Sequence, residues 1–353
     1  MDGSRPISPV PVLGTEVTRC LKAGRRRWGL VLCALVLALL SVASVFAGSR
    51  AISPRVTIEA MLAFDPAISE HLLVWNLRVP RALLGIVVGC ALGVAGAVMQ
   101  ALTRNPLADP GILGVNAGAT LAIVAAIAFF GIVDMAGYMW FGLAGAALAG
   151  ALVYLLGGVR RGLNPIRLVL AGSALSVVLL ALTQIVTVNS DEMVFDRFRH
   201  WAVGSLQGRG GDVLLPTAAL TAPALLAAFA LARMLDTVAL GRDTGKALGA
   251  NPRTVWILSA LIVIVLAGSA TAAAGPIAFV GLTAPHVARF VAGPDHRWLL
   301  PFSMLISAVM IVGADSLGRL VGHPGEVAVG IMVALIGGPF FIVLVQRWRI
   351  VQL

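Results

Sequence analysis

Charged residues almost vanish from stretches about as long as a bilayer is thick. Apolar runs cover about 28–48, 82–102, 112–131, 138–156, 166–188, 213–234, 254–274, 298–320 and 327–346, with a shorter one at 279–292. A helix crosses the hydrocarbon core in about 20 residues, and only helices or closed barrels satisfy their backbone polar groups there. The chain is 12% charged, against about 25% in soluble domains. Those runs predict an all-α, polytopic membrane protein with about ten crossings and no separate soluble domain. They divide the chain into an N-terminal tail, 1–27, and a transmembrane domain, 28–350.

An even number of crossings puts both ends on one side. With the ends inside, most of the 26 Lys and Arg fall in the tail and inner connectors, including Arg104, Arg160, Arg161, Arg242, Lys246 and Arg347. Positive charge gathers on the cytoplasmic side of membrane proteins, so both termini are expected to be cytoplasmic. The same distribution explains the net charge of +10 without nucleic acid as a partner. The run after Arg25-Arg26-Arg27 is too long for a usual signal-peptide core, so it reads as an uncleaved first span behind a disordered tail. Between spans one and two, Ile58, Met61 and Leu62 share a helical face and predict a short surface helix over 56–64. Cys20, Cys33 and Cys90 show no paired spacing and no disulfide framework.

The stretch from Arg78 to Ala119 is the most structured in the sequence. Gly85, Gly89 and Gly93 recur every fourth residue and stack on one helical face, where another helix can approach closely. Gln100 closes the apolar run. Asn105-Pro106 and Asp109-Pro110-Gly111 then supply two turn signals. Gly330, Ala334 and Gly338 form a second small-residue face, suited to packing or to lining a path.

Arg78, Arg81 and Arg319 stand at span ends on the outer side. Such arginines can anchor a span by reaching headgroups. Asp315 lies one turn before Arg319 in the favourable acid-first order, which offers a local partner instead. A guanidinium fork also suits bidentate capture of a partner's carboxylate.

No group in the chain is a candidate for catalysis. The nearest approach to a phosphate loop, Gly241 to Ala247, has three residues between its glycines where the P-loop has four. Alanine follows its lysine where Ser or Thr would hold magnesium. Ion-coupled carriers place Asp, Glu or His in mid-membrane, and such groups are nearly absent from these runs. The five histidines show no ligand spacing, which argues against a channel for bare metal ions. A path lined by small, apolar groups suits a bulky, already chelated cargo.

The wording RVPR at Arg78–Arg81, Gly89 to Gln100, and NPLADPGILGVNAGA from Asn105 to Ala119 resembles the FecCD-type permeases of bacterial ABC importers for ferric siderophores, haem and cobalamin. The likeness continues at Trp201–Leu206, Gly275–Arg289 and Gly313–Pro339, and is strongest to ferric-enterobactin-type permeases. It implies a type II ABC importer permease fold in the cytoplasmic membrane, and translocation of a ferric siderophore. Haem or cobalamin is the runner-up cargo, and an ATPase-independent secondary carrier the alternative class. The implied partners are ABC ATPase subunits, a second permease subunit (a heterodimer is favoured) and an extracytoplasmic substrate-binding protein. No cofactor is expected in this chain, since ATP and magnesium belong to the ATPase. The resemblance makes Arg78, Arg81 and Arg319 docking positions for the binding protein. It makes the connector 235–253 the ATPase coupling loop, through Leu240, Gly241, Ala247, Leu248 and Gly249. That connector reads as two short helical pieces, near Asp236–Leu240 and Thr244–Gly249.

Overall fold

The computed structural model describes residues 13–48, 50, 52–132, 134–157, 165–239 and 251–347. Helix α1 (Leu13–Phe46) begins well inside the segment expected to be a disordered tail, and its span-length part is Gly24–Phe46. Helix α2 (Pro54–Leu62) is the surface helix predicted from the 56–64 pattern, opened by Ser53, whose hydroxyl accepts from the Val56 N–H. Helix α3 (Ser69–Leu73) runs through a π turn (Val74–Arg78) directly into α4 (Val79–Thr103). The result is one 35-residue apolar helix, much longer than the sequence run suggested. Turn chemistry then ends it. The Asn105 and Asp109 carboxamide and carboxylate oxygens accept from the N–H groups two residues on.

The remaining helices are α5 (Val115–Phe130), α6 (Met135–Leu156), α7 (Pro165–Val188), α8 (Glu192–Ala202), α9 (Gly211–Ala239), α10 (Pro252–Ala274), α11 (Val280–Ala292), α12 (His296–Val321) and α13 (Val329–Arg347). Every apolar run of the sequence therefore reappears as a helix. Among the described residues, seven helices are long and apolar enough to cross a membrane; α5 and the apolar part of α13 are shorter, and α11 has 13 residues.

Helix α4 is the hub. In its most apolar window 83% of residues are buried, against 11% for α7 at the periphery. It packs on α9, α10, α11 and α12. Small residues make this possible. A Cβ at Gly89 would lie 2.5 Å from the Ala308 Cα, and one at Gly93 would collide with Ser303 and Ser307 of α12. One at Gly96 would collide with the Gly281 backbone of α11. Gly85 makes only ordinary contacts.

Irregular backbone also enters the packed interior. After α8, the turn at Gly204–Ser205 touches the end of α10 and the start of α13. Ser205 N donates to Ala274 O at 2.7 Å and Gly330 N donates to Gly204 O at 2.9 Å. Gly204 and Gly275 have φ of +74° and +82°, which only glycine adopts without strain. The three chain segments thus satisfy one another's polar groups, the condition for non-helical backbone at membrane depth.

Candidate functional site

The three arginines singled out in the sequence meet at one end of the bundle, where α1 ends and α4 begins. The last turn of any helix leaves carbonyls without intrahelical partners and carries partial negative charge. Here those carbonyls are taken by guanidinium groups. Arg78 Nη1 donates to Val45 O and Phe46 O at 3.0 and 3.2 Å, and its Nη2 to Arg50 O at 2.6 Å. Arg319 Nη1 donates to Ser44 O at 2.8 Å and to Ala47 O, and its Nη2 to the Ser44 hydroxyl at 2.7 Å.

Asp315 joins the third arginine, Arg81, to Arg319. Arg81 meets its carboxylate with Nε and Nη2, the latter at 2.8 Å, and Arg319 Nη2 approaches it at 3.1 Å. Arg81 Nη1 also pairs with Glu326 at 2.7 Å. Arg78 and Arg319 are buried, and the Arg81 side chain is only 12% exposed. Anchoring in headgroups does not describe side chains so enclosed. The acid-first pairing of Asp315 with Arg319 is present, but it is one branch of a network that also reaches α4 and the segment before α13. A cavity of about 300 Å3 lies against the cluster, lined by all three arginines together with Leu73, Gln207 and Glu326.

Sequence reasoning missed three members of this end. Glu326 sits in a polar connector with no distinguishing pattern. Ser44 lies in an apolar run. Arg209 is 2% exposed, and donates to the Tyr138 hydroxyl and to Ser205 O, both at 3.3 Å. Nothing local marks it among the other charges of 189–212.

The opposite end is tied differently. Gln100 is fully buried; its Nε2 donates to Leu282 O at 3.3 Å, and its Oε1 accepts from Arg289 Nη2 at 3.1 Å. The Nε and Nη1 atoms of Arg289 and Nδ1 of His286 are buried with no hydrogen-bond partner among the described residues. At the start of α12, the Asp236 carboxylate of α9 accepts from both the backbone N–H and Nδ1–H of His296, at 3.0 and 2.6 Å. Asp236 therefore belongs to α9, not to a separate short helix of the connector. Beside it, the α12 cap Asp295 is partly buried, which works against its charge. The side-chain and backbone donors of Arg297 outweigh that and hold its carboxyl below the usual range.

Of the small residues, Gly330 presses on the Val203–Gly204 backbone, whereas Gly338 has no neighbour within 4 Å of an added Cβ. Leu240, Gly241, Ala247, Leu248 and Gly249 lie outside the described residues. Among the described residues, no three His, Cys, Asp or Glu gather as metal ligands.

Long apolar helices, an interior crossed by irregular backbone, and charge confined to the two ends define a multi-pass membrane transport protein. The FecCD transport family model matches residues 35–347, and the chain belongs to that family. It is 43% identical over 319 residues to the ferric enterobactin transport system permease protein FepD of Escherichia coli, covering 89% of this chain and 93% of FepD. It is 42% identical over 331 residues to the siderophore transport system permease protein YfiZ of Bacillus subtilis, covering 93% and 98%. The hemin transport system permease protein HmuU of Yersinia pestis is 37% identical, covering 78% and 84%. A solved metal-chelate type ABC transporter in an inward-facing conformation superposes with a TM-score of 0.79 at 27% identity, over 92% of this chain and all of that one.

Proposed function

We propose that this chain is the membrane-spanning permease subunit of an ATP-driven importer for a ferric siderophore. The observation that carries this reading is the near end-to-end match to FepD and YfiZ at more than 40% identity. The chain pairs with a second permease subunit, a homologous one by preference. Two ATPase subunits hydrolyse ATP, and a binding protein delivers the cargo. In this reading both termini are cytoplasmic and the arginine end is outside, which the positive charge of the connectors supports. Acidic side chains of the binding protein reach Arg81 through the cavity and compete there with Asp315 and Glu326, which hold its guanidinium fork. The segment 235–253 engages the ATPase through Leu240, Gly241, Ala247, Leu248 and Gly249.

Radio-iron uptake in a strain deleted for this chain tests the reading. Restored uptake of iron from a ferric siderophore, dependent on ATP and on a co-purifying ATPase, is the expected result. Restored uptake from haem alone would move the chain to the cargo named for HmuU. Uphill transport by the purified chain without any ATPase would overturn the importer reading. Reversing charge at Arg78 and Arg81 is expected to weaken binding-protein affinity, more strongly at low salt. Equal affinities would remove the docking role.

A further inference from the structure

Helix α12 is fastened at both ends and backed along its middle. At the arginine end, Asp315 and Arg319 tie it to Arg81 at the start of α4 and to the terminal carbonyls of α1. Along its middle, the Gly89 and Gly93 contacts bring its backbone directly against α4. At the opposite end, His296 is its first helical residue and is 2% exposed. The carboxylate bonded to His296 is that of Asp236 on α9, one turn before residue 240. Between His296 and Asp315, α12 spans about 29 Å, roughly the hydrocarbon thickness.

The Asp236 contact is unusual in what it joins. One carboxylate oxygen accepts both from the His296 ring and from the backbone N–H that opens α12. It therefore acts on the end of the helix as a cap from another helix, with the helix dipole favouring its charge. The ring packs in a buried setting, so the bond has a fixed direction. Movement of the end of α9 along or across the membrane must move the start of α12, or break this contact.

We infer that α12, backed by α4, is the strut that carries displacement between the segment following α9 and the arginine end, and that Asp236 and His296 are the positioning residues that couple it to α9. This rests on the importer reading, in which Leu240 to Gly249 engage the ATPase, Asp236 on α9 does not touch it, and the arginine end receives the binding protein. Charge at Asp236 serves no direct contact with cargo in this scheme; it makes ATP hydrolysis responsive to events at the far end.

The test uses the whole complex of permease, ATPases and loaded binding protein in lipid nanodiscs, comparing basal and binding-protein-stimulated ATP hydrolysis. Asp236→Asn should retain the ATPase and its basal rate. Stimulation by loaded binding protein should fall about tenfold, as expected for losing a charge-assisted hydrogen bond. Asp236→Glu should restore most of it. A merely structural role would lower both rates together, and that outcome overturns the inference. So does unchanged stimulation in Asp236→Asn. If Asp236→Asn does not assemble, a cysteine pair at 236 and 296 decides, in a chain whose native cysteines are replaced. Stimulation that survives when the pair is cross-linked and disappears on reduction supports the strut; equal rates in both states overturn it. A wild-type chain that binds no ATPase at all would instead overturn the importer reading itself, and the strut with it.

Discussion

The two ends of the bundle handle buried charge in opposite ways. At the arginine end, three guanidinium groups find helix-terminal carbonyls, a serine hydroxyl and two carboxylates. At the opposite end, Arg289 has, among the described residues, a single glutamine acceptor and two buried, unpartnered nitrogen sites. A satisfied buried network resists change because removing one member strands the others. A half-satisfied one loses little when altered. The difference marks the arginine end as a fixed reference of the fold and, at the opposite end, the Arg289 site rather than the Asp236–His296 contact as the part that can rearrange at low cost.

The contrast can be broken most severely at its centre. Asp315→Ala leaves Arg81 and Arg319 without their shared carboxylate, and should destabilise the protein by about 3–5 kcal/mol. Thermal unfolding in detergent and yield of folded protein would register this; a loss below about 1 kcal/mol would deny the network its role. Arg319→Met should follow at about 2–3 kcal/mol, from loss of charged donors to the end of α1. Protease cleavage near residues 44–50 should increase in that variant, and unchanged cleavage would show that α1 does not depend on it.

Arg289→Met sharpens the comparison from the other side. Replacing an under-satisfied buried cation with an apolar side chain of similar length should leave stability within about 1 kcal/mol, or raise it. A loss as large as that of Asp315→Ala would mean the two ends do not differ as described. A small, pH-dependent effect belongs to Asp295. Its carboxyl is held below the usual range, so its contribution is full above the unfolded-state pKa and disappears as pH falls through the lower folded value. Asp295→Ala should cost about 1 kcal/mol at neutral pH, as for other helix caps, and less in acid. A stability difference that grows on acidification would contradict that sign.

The helices were legible because a bilayer enforces a simple rule: about twenty apolar residues in a row. The turns after α4 were legible because Asn105 and Asp109 close them with their own side chains. What escaped was set by distance in sequence. Arg81 and Asp315 lie 234 positions apart, and no local pattern announces that they meet. The continuation of α4 back through Ser69 was hidden by a polar start that reads as a loop. Asp236 looked like part of a connector because charge near a span end resembles charge beyond it. Gly89 and Gly93 advertised a close helix contact by their spacing, while Gly96, off that repeat, did not.

Gly96 has a consequence for how this gene tolerates error. Its backbone lies against the Gly281 backbone, where one added carbon already collides. Every missense change at codon 96 adds at least that carbon. A library of random variants should therefore be nearly empty at this codon, and a second-site suppressor cannot come from trimming position 281, which has no side chain left to lose.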